Sequence, residues 1–456
     1  MTHNARISSS EGSLARLFLR YLIPAIAAIF LTGLHTVVNG IFVGHYVGQA
    51  GLAGYAMAWP WLTLIFGTGI LVGVGIASLA SLARGANDPN EAAAYIGQTL
   101  VWLLVPGLVI GSCLYVAAPA ILRMQGGQGE VIVMGTQYLR MMAMGAPVLM
   151  STIIVPFLLR NLDAPYLATL CAALAALTNI CLDYLFVVHL GWGMGGVATA
   201  TVLAQTVSIA IGLWYMLGAR NPVPLKWADA IPNGAKGKKI FLNGLSSLFM
   251  YSYFGTMVVF HNVRLLEYGS AINVASYAVA GYVTGTYYLF AEGVGHGMQP
   301  VVSQLWGAGR YAAARKVLIM AMAFGVGTGV LLVLILQTVP GTFARFFVGD
   351  NPALVAAASQ AYRLNLSAVY LDGLFAIAAS FFQAVGKGRR ALVVTIGNIV
   401  IQVPFLALLP FAWGLTGVWL AVPVSNLLLS PVVIFLLWKT ASETQVTTLN
   451  DKAAAA

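Results

Sequence analysis

The chain is cut at near-regular intervals into apolar stretches, each about as long as a helix must be to cross a lipid bilayer. About 20 apolar residues suffice for one crossing. Twelve such stretches can be read, near 15–38, 52–82, 95–119, 131–158, 166–189, 193–217, 241–266, 271–300, 313–337, 353–383, 391–411 and 415–438, separated by short clusters of Gly, Pro, Asn and charge. Lipid offers no hydrogen-bond partner to a backbone N–H or C=O, so a run such as Val317–Gln337 can be satisfied there only as a helix. A membrane barrel would show alternating segments of about 10 residues, and none is present. Of the 456 residues 60% are hydrophobic and 8% charged, whereas soluble domains carry about 25% charged residues. A water-soluble globular fold is excluded, and the expected class is an all-α polytopic membrane protein.

The net charge of +10 is unevenly placed. Of the 23 Lys and Arg residues, Arg123, Arg140, Arg264, Arg345 and Arg363 fall on one set of loops and span ends. The other 18 fall on the opposite side, among them Lys236, Lys238 and Lys239, Arg310, Arg315 and Lys316, and Lys387, Arg389 and Arg390. This is the positive-inside bias, and with an even number of spans it predicts that both termini are cytoplasmic. The basic balance therefore reports topology and contact with anionic membrane lipids, with no nucleic-acid partner. Arg6 before the first stretch, with Arg16 and Arg20 in its opening residues, resembles the basic region of a signal peptide, but that stretch is too long and lacks a small-residue cleavage site, so it is expected to be retained. Cys113, Cys171 and Cys181 all lie in spans, give no disulfide framework or metal-ligand spacing, and are expected to be small apolar packers.

The longest polar break, near Ala219 to Lys239, separates six spans from six and carries Asn221-Pro222-Val223-Pro224. The expected organisation is an N-lobe at 1–220, a cytoplasmic linker at 221–240, a C-lobe at 241–440 and a cytoplasmic tail at 441–456. The halves repeat at an offset near 222 residues. Tyr55-Ala56-Met57-Ala58 matches Tyr277-Ala278-Val279-Ala280, and Gly73, Gly75, Ser81, Gly85 and Ala86 fall on Gly295, Gly297, Ser303, Gly307 and Ala308. After a slip of one residue, Trp192-Gly193 and Gly196-Val197 fall on Trp413-Gly414 and Gly417-Val418. A six-span repeat keeps the same topology in both halves, which predicts two six-helix lobes related by a pseudo-two-fold axis along the membrane normal. Such repeats recur in secondary transporters.

Four segments carry a family resemblance: Asn39-Gly40-Ile41-Phe42-Val43-Gly44-His45-Tyr46-Val47-Gly48, Asn179-Ile180-Cys181-Leu182-Asp183-Tyr184, Gly196-Val197-Ala198-Thr199-Ala200-Thr201, and Phe382-Gln383-Ala384-Val385-Gly386. In their order and spacing the chain, from Pro24 to about Trp438, resembles the multidrug and toxic compound extrusion (MATE) family, in particular its bacterial branch with DinF-like and MepA-like members. The resemblance implies two six-helix lobes enclosing a central cavity, and export of cationic or amphipathic compounds driven by inward flow of protons or sodium ions. It also implies a first helix that bends at Pro24, where a proline removes a backbone hydrogen bond and crowds the preceding turn. Many members carry an aspartate where this chain has Asn39, as part of an N-lobe cation site, and some carry a glutamate where it has Tyr251. An amide cannot titrate, so coupling is expected to rely on Asp183 alone or to shift partly to the C-lobe.

Of 13 acids only Asp183, Glu292 and Asp372 lie deep within spans. A charge at that depth costs about 2.5–3.5 kcal/mol on insertion scales, so each acid should face protein or a water-filled cavity. Asn179 shares a helix face with Asp183, and Thr199 and Thr201 on the next span could add oxygen ligands. Carboxylate, amide carbonyl and hydroxyl suit a sodium ion; the same carboxylate could instead carry a proton, or merely bond across helices. Glu292 and His296 are four residues apart among alternating glycines, ahead of Pro300, where the eighth span is expected to weaken or break. They could share a proton, pair as ions, or satisfy freed backbone groups. Asp372, two residues after Tyr370 in the same span, is a C-lobe candidate for cation binding or coupling. His35 and His261 could titrate, although a lone intramembrane histidine more often packs. Trp59, Trp61, Tyr251, Tyr253, Tyr287, Tyr288, Met141, Met142, Met144 and Met150 offer aromatic and adaptable surfaces that suit organic cations, as well as ordinary core packing.

An enzyme would be expected to show clustered metal ligands, a nucleophile with its base, or a phosphate loop. No P-loop and no HExxH occurs. The expected function is thus a non-enzymatic antiporter for drug-like or cationic compounds, monomeric, without a cofactor, in the bacterial cytoplasmic (inner) membrane, with H+ or Na+ at Asp183 as the coupling ion. The alternative is a flippase for lipid-linked sugars or lipids of related architecture, which would call for a more cationic cavity.

Overall fold

The computed structural model describes residues 11–218, 220–349 and 351–455. Every regular element among them is a helix. They are α1 (Glu11–Phe42), α2 (Gln49–Gly85), α3 (Pro89–Gly97), α4 (Thr99–Met124), α5 (Gly129–Met144), α6 (Ala146–Asn161), α7 (Pro165–Asp183), α8 (Gly193–Leu217), α9 (Gly234–Tyr268), α10 (Ala271–Gly307), α11 (Tyr311–Thr338), α12 (Pro340–Val348), α13 (Pro352–Asn365) and α14 (Tyr370–Ala384). A final stretch, Gly388–Ala455, divides at Gly414, with φ 53°, into α15 (388–413) and α16 (415–455). This is the twelve-span, two-lobe architecture expected from the sequence. By length and hydropathy alone, seven described helices qualify as membrane-crossing, and nine when two bent pairs are each taken as one span. The rest come from α9 and α10, which carry more polar residues, and from the division at Gly414.

Two expected spans are not straight. Residues 131–158 fall on α5 and α6, bent by 58°, and 353–383 on α13 and α14, bent by 50°. At the first bend Gly145 (φ −81°, ψ 5°) ends α5 and Pro147 stands in the first turn of α6, where it has no N–H to continue the hydrogen bonds of α5. The eighth span departs from expectation in the opposite sense, because α10 runs unbroken for 37 residues through Gly293, Gly295, Gly297 and Pro300. Its glycines admit neighbours instead. A Cβ at Gly297 would lie 2.7 Å from the Cα of Leu22, and one at Gly295 would lie 2.9 Å from the Cβ of Ser380. Small residues at helix contacts are how membrane helices gain packing energy when lipid supplies no hydrophobic drive.

The duplication recurs in the backbone. Left-handed residues occur at Asn87 and Gly309, Gly126 and Gly349, Asp163 and Gly386, and Gly193 and Gly414. Each pair is separated by the same offset, to within one residue, that relates the matching sequence segments. Each turn closes one helix and opens the next, so both halves meet the same geometric demand at the same place.

Contacts divide the chain into two compact units, Ile23–Tyr251 and Met1–Leu22 with Ser252–Ala456. Both limits fall inside helices, α1 and α9, and not in the 221–240 linker. The first half of α9 belongs with α2: Asn243 Nδ2 donates to Ser78 Oγ at 2.7 Å, and a Cβ at Gly244 would sit 3.1 Å from the Cα of Leu71. The linker is itself held down. Gln98 donates to the carbonyls of Asp229 (3.2 Å) and Ile231 (2.8 Å) and accepts from the N–H of Asn233 at 3.1 Å. Of the three cysteines Cys171 is buried, while Cys113 and Cys181 are exposed on the helix surface.

Adding one methyl group tests these close approaches. Gly297→Ala is expected to destabilise by about 1–3 kcal/mol, because backbone must move. Gly33→Ala, with nothing within 4 Å, should be neutral or stabilise by up to about 1 kcal/mol. Thermal unfolding of the purified protein reads the difference, and equal midpoints for the two variants contradict the packing role of Gly297.

Candidate functional site

Within the unit Ile23–Tyr251, four residues of two helices meet a fifth on a third. His35 and Asn39 stand one turn apart on α1, and Asn179 and Asp183 one turn apart on α7, so each pair shares a helix face. Both helices pass into π-helical turns soon after these residues, Val43–Val47 and Tyr184–His189. Such turns are rare and recur near functional sites. Thr201 on α8 completes the group.

The amide of Asn179 is its hub. In the orientation that satisfies its neighbours, its oxygen accepts from the N–H of Thr201 at 3.2 Å. Its nitrogen lies 2.6 Å from Asn39 Oδ1, 2.8 Å from His35 Nε2 and 3.1 Å from Asp183 Oδ2. Two N–H groups thus serve three acceptors. Asn39 Nδ2 donates to Thr201 Oγ1 at 3.3 Å, and that hydroxyl donates to the carbonyl of Val197 at 2.9 Å. Asp183 is fully buried, and its Oδ1 has no hydrogen-bond partner among the described residues. Tyr55 and Tyr138, with ring centroids 5.2 Å apart, lie within electrostatic reach of it. A buried carboxylate with one oxygen unpartnered is costly to hold as a bare anion. A proton on Oδ1, or a cation shared with the oxygens of Asn39 and Thr201, removes that cost.

Thr199 does not join the group. Its hydroxyl bonds to the carbonyl of Gly195 on its own helix at 2.7 Å, and residues two apart on a helix do not face the same way. His35, weighed from the sequence between a titrating group and a packing residue, joins the group. Its spacing from Asn39 repeats that of Asn179 and Asp183 and was the available signal.

The second unit holds its own polar network. Asn426 Nδ2 donates to Asp372 Oδ1 at 2.8 Å. Gln402 Nε2 donates to the hydroxyl of Tyr253 at 2.6 Å and to Asn398 Oδ1 at 3.1 Å, with Asn426 Oδ1 at 3.4 Å. Asp372 lines a cavity of about 310 Å³ together with His261, Tyr277 and Asn365. The His261 ring is fully buried, its Nδ1–H donates to the carbonyl of Met257 at 2.9 Å, and it stacks on Tyr277 at 4.9 Å. His261 and Tyr277 stand one repeat offset after Asn39 and Tyr55, so the same positions furnish polar groups in both halves. Glu292 and His296 approach to 3.9 Å along α10 and are not among the residues lining this cavity. Among the candidate methionines, Met142 and Met150 are hydrophobic core and Met144 is 58% exposed. Pro24 lies inside α1, and its carbonyl accepts from Thr169 Oγ1 at 2.8 Å.

Because Asn179 serves several buried acceptors at once, Asn179→Ala is expected to destabilise by about 1–3 kcal/mol. Thr199→Val loses one bond to its own helix and should cost less. Thermal unfolding of both purified variants measures the contrast, and the reverse order removes Asn179 from the centre of the network.

The sequence pattern of the MatE family matches residues 24–185 and 244–408. The multidrug export protein MepA of Staphylococcus aureus is 23% identical over 405 residues, covering 88% of each chain. MepA of Staphylococcus saprophyticus is 21% identical over 408 residues, covering 90% of each. Among solved structures, a crystal structure of MATE in the bent conformation superposes with a TM-score of 0.89 at 22% identity, over 96% of this chain and 97% of that one. An outward-facing multidrug resistance MATE family transporter of the MOP superfamily gives 0.84 at 22% identity, over 94% and 96%. With both halves of its duplicated helical fold matched, the chain belongs to the MatE family, whose members are membrane transporters and not enzymes.

Proposed function

We propose that the protein is a secondary active antiporter that exports organic cations or amphipathic drugs in exchange for protons or sodium ions. The observation that carries this reading is the fully buried Asp183 with Oδ1 unpartnered, linked through one amide to α1 and α8. Its relatives named for multidrug export support the drug-like cargo. Binding of a proton or sodium ion at Asp183 neutralises the carboxylate, redistributes the N–H groups of Asn179, and so alters how α1, α7 and α8 pack. Cargo is released on the side from which the ion enters. Asp372 is the C-lobe candidate for cation binding or coupling, and Glu292 with His296 is a secondary pair there. Pro24, two residues from the limit between the compact units, is the bending point of α1.

The protein works as a monomer in the bacterial cytoplasmic membrane, with an N-lobe at 1–220, a linker at 221–240, a C-lobe at 241–440 and a tail at 441–456. The asymmetry of 18 basic residues against five supports cytoplasmic termini. Coupling needs no cofactor, only the transported ion.

Reconstituted in vesicles with an imposed pH or sodium gradient, the protein should accumulate organic cations against their own gradient. Asp183→Asn keeps the shape and removes the charge. It is expected to lower gradient-driven accumulation at least about tenfold, since a charge-assisted contact is worth about 1.5–3 kcal/mol, with yield and unfolding midpoint preserved. Undiminished accumulation in that variant overturns the role of Asp183. The gradient that drives transport in the parent protein identifies the ion.

A further inference from the structure

Tyr288, Glu292, His296, Gln299 and Ser303 succeed one another along α10 at spacings of four, four, three and four residues, which places them on one face of the helix. The matching residues of α2, 222 positions earlier, are Phe66, Ile70, Val74, Ala77 and Ser81. Ile70, Val74 and Ala77 are buried hydrophobic core. Hydrocarbon alone therefore packs this face of the repeated helix, and packing does not account for the carboxyl, imidazole and amide that stand there in the second half. The facing helix differs in the same sense. A Cβ at Gly295 would lie 2.9 Å from the Cβ of Ser380 on α14, and at the repeat offset, to within one residue, Ser380 falls on Phe157 or Leu158. Across the same seam Gln299 Nε2 donates to Gln383 Oε1 at 3.2 Å.

Three oxygens of the seam, Gln299 Oε1, Ser303 Oγ and Ser380 Oγ, are buried with no hydrogen-bond partner among the described residues. The matching hydroxyl of the other half, Ser81, donates to Asn161 Oδ1 at 2.7 Å. Pro300 brings no N–H to the carbonyl of His296, which adds a fourth acceptor. Unpartnered buried oxygens cost stability, and they are the groups that hold a water once one enters. From Tyr288 to Ser303 the stripe runs about 22 Å, whereas one metal ion draws its oxygens to within about 2–2.6 Å. Its shape is that of a path. At one end Tyr288 lies within electrostatic reach of both Asp372 and Glu292, and Glu292 and His296 approach to 3.9 Å. At the other end Trp306, three residues after Ser303, lines a groove shared with Arg310 and Arg315, which belong to the basic side of the chain.

We propose that this stripe is a proton route, by which a proton on Glu292 passes to His296 and on, through water held by Gln299, Ser303 and Ser380, to the cytoplasmic end of α10. Glu292 is left as carboxylate; the His296 ring takes the proton, gives it to water and returns to its neutral form. Gln299 and Ser303 are fully buried, so the route is shut in this structure and opens when α10 and α14 part to admit water. An exchanger requires such a closure, because a route open throughout the cycle would leak the gradient. The inference rests on the antiport reading above, with the proton as the coupling ion.

The test uses the full chain reconstituted in vesicles, with radiolabelled tetraethylammonium and ethidium as organic cations. Two rates are compared: accumulation driven by a pH gradient, and exchange of internal for external cation without a gradient, which moves no net proton. Ser303→Ala combined with Ser380→Ala removes two hydroxyls that the fold leaves unpartnered, so the unfolding midpoint should hold or rise. In that variant pH-driven accumulation should fall at least about tenfold while exchange stays within about twofold of the parent. Gln299→Ala, which carries the residue type of the first half, should act in the same direction. Ser81→Ala, the matching change in the other half, should keep the parent's ratio of the two rates. Undiminished pH-driven accumulation in the double variant, an equal loss of both rates, or a loss as selective in Ser81→Ala overturns the route and leaves antiport standing. A parent protein driven by sodium alone overturns the route as well. A parent that accumulates neither cation under either gradient overturns the antiport reading and the route with it.

Discussion

A peptide group inside a bilayer has nothing to bond with except another part of the same chain. That constraint shapes every regular element among the described residues, all of them helices. It also moves the burden of specificity onto side chains. Helices that have met their own backbone needs are held together by close approach and by a few polar contacts. Gly244 against Leu71, Gly297 against Leu22 and Gly295 against Ser380 are places where a side chain on one helix would hold the other away.

The same constraint explains why the polar groups gather. A carboxylate, two amides, a hydroxyl and an imidazole from α1, α7 and α8 satisfy each other because lipid and apolar core cannot. Their balance is incomplete by one oxygen. Asp183 Oδ1 is the group left over, which makes the cluster responsive to a small positive ion. In the other unit Asn426 donates to Asp372 and is tied through Gln402 to Asn398 and Tyr253, while a cavity with His261 and Tyr277 borders Asp372. The two halves thus furnish polar groups at matching positions, Asn39 with His261 and Tyr55 with Tyr277, while their deep acids Asp183 and Asp372 stand at different places in the repeat.

Much of the architecture was legible along the chain. Span count, duplication and the pairing of Asn179 with Asp183 depend on spacing within one helix or on identities a fixed distance apart, and a linear sequence displays both. The bends at Gly145 and between Asn365 and Tyr370 were not visible, since their apolar character runs straight through. The glycines of α10 were misread as breakers because a glycine weakens a helix in isolation, while in this fold the gain from close packing outweighs that loss. Thr199 and Thr201 looked equivalent until the helix turned one of them away.

What the sequence alone determined is therefore the class of fold, its repetition and the deep acids, because the cost of exposing backbone or burying charge in lipid applies whatever the neighbours are. Only the tertiary structure decided which polar groups share a hydrogen bond. His35 entered the site, Thr199 left it, and the first half of α9 joined α2. Each of those outcomes depends on which faces of separate helices meet, and contacts between residues more than a hundred positions apart leave no mark in local spacing.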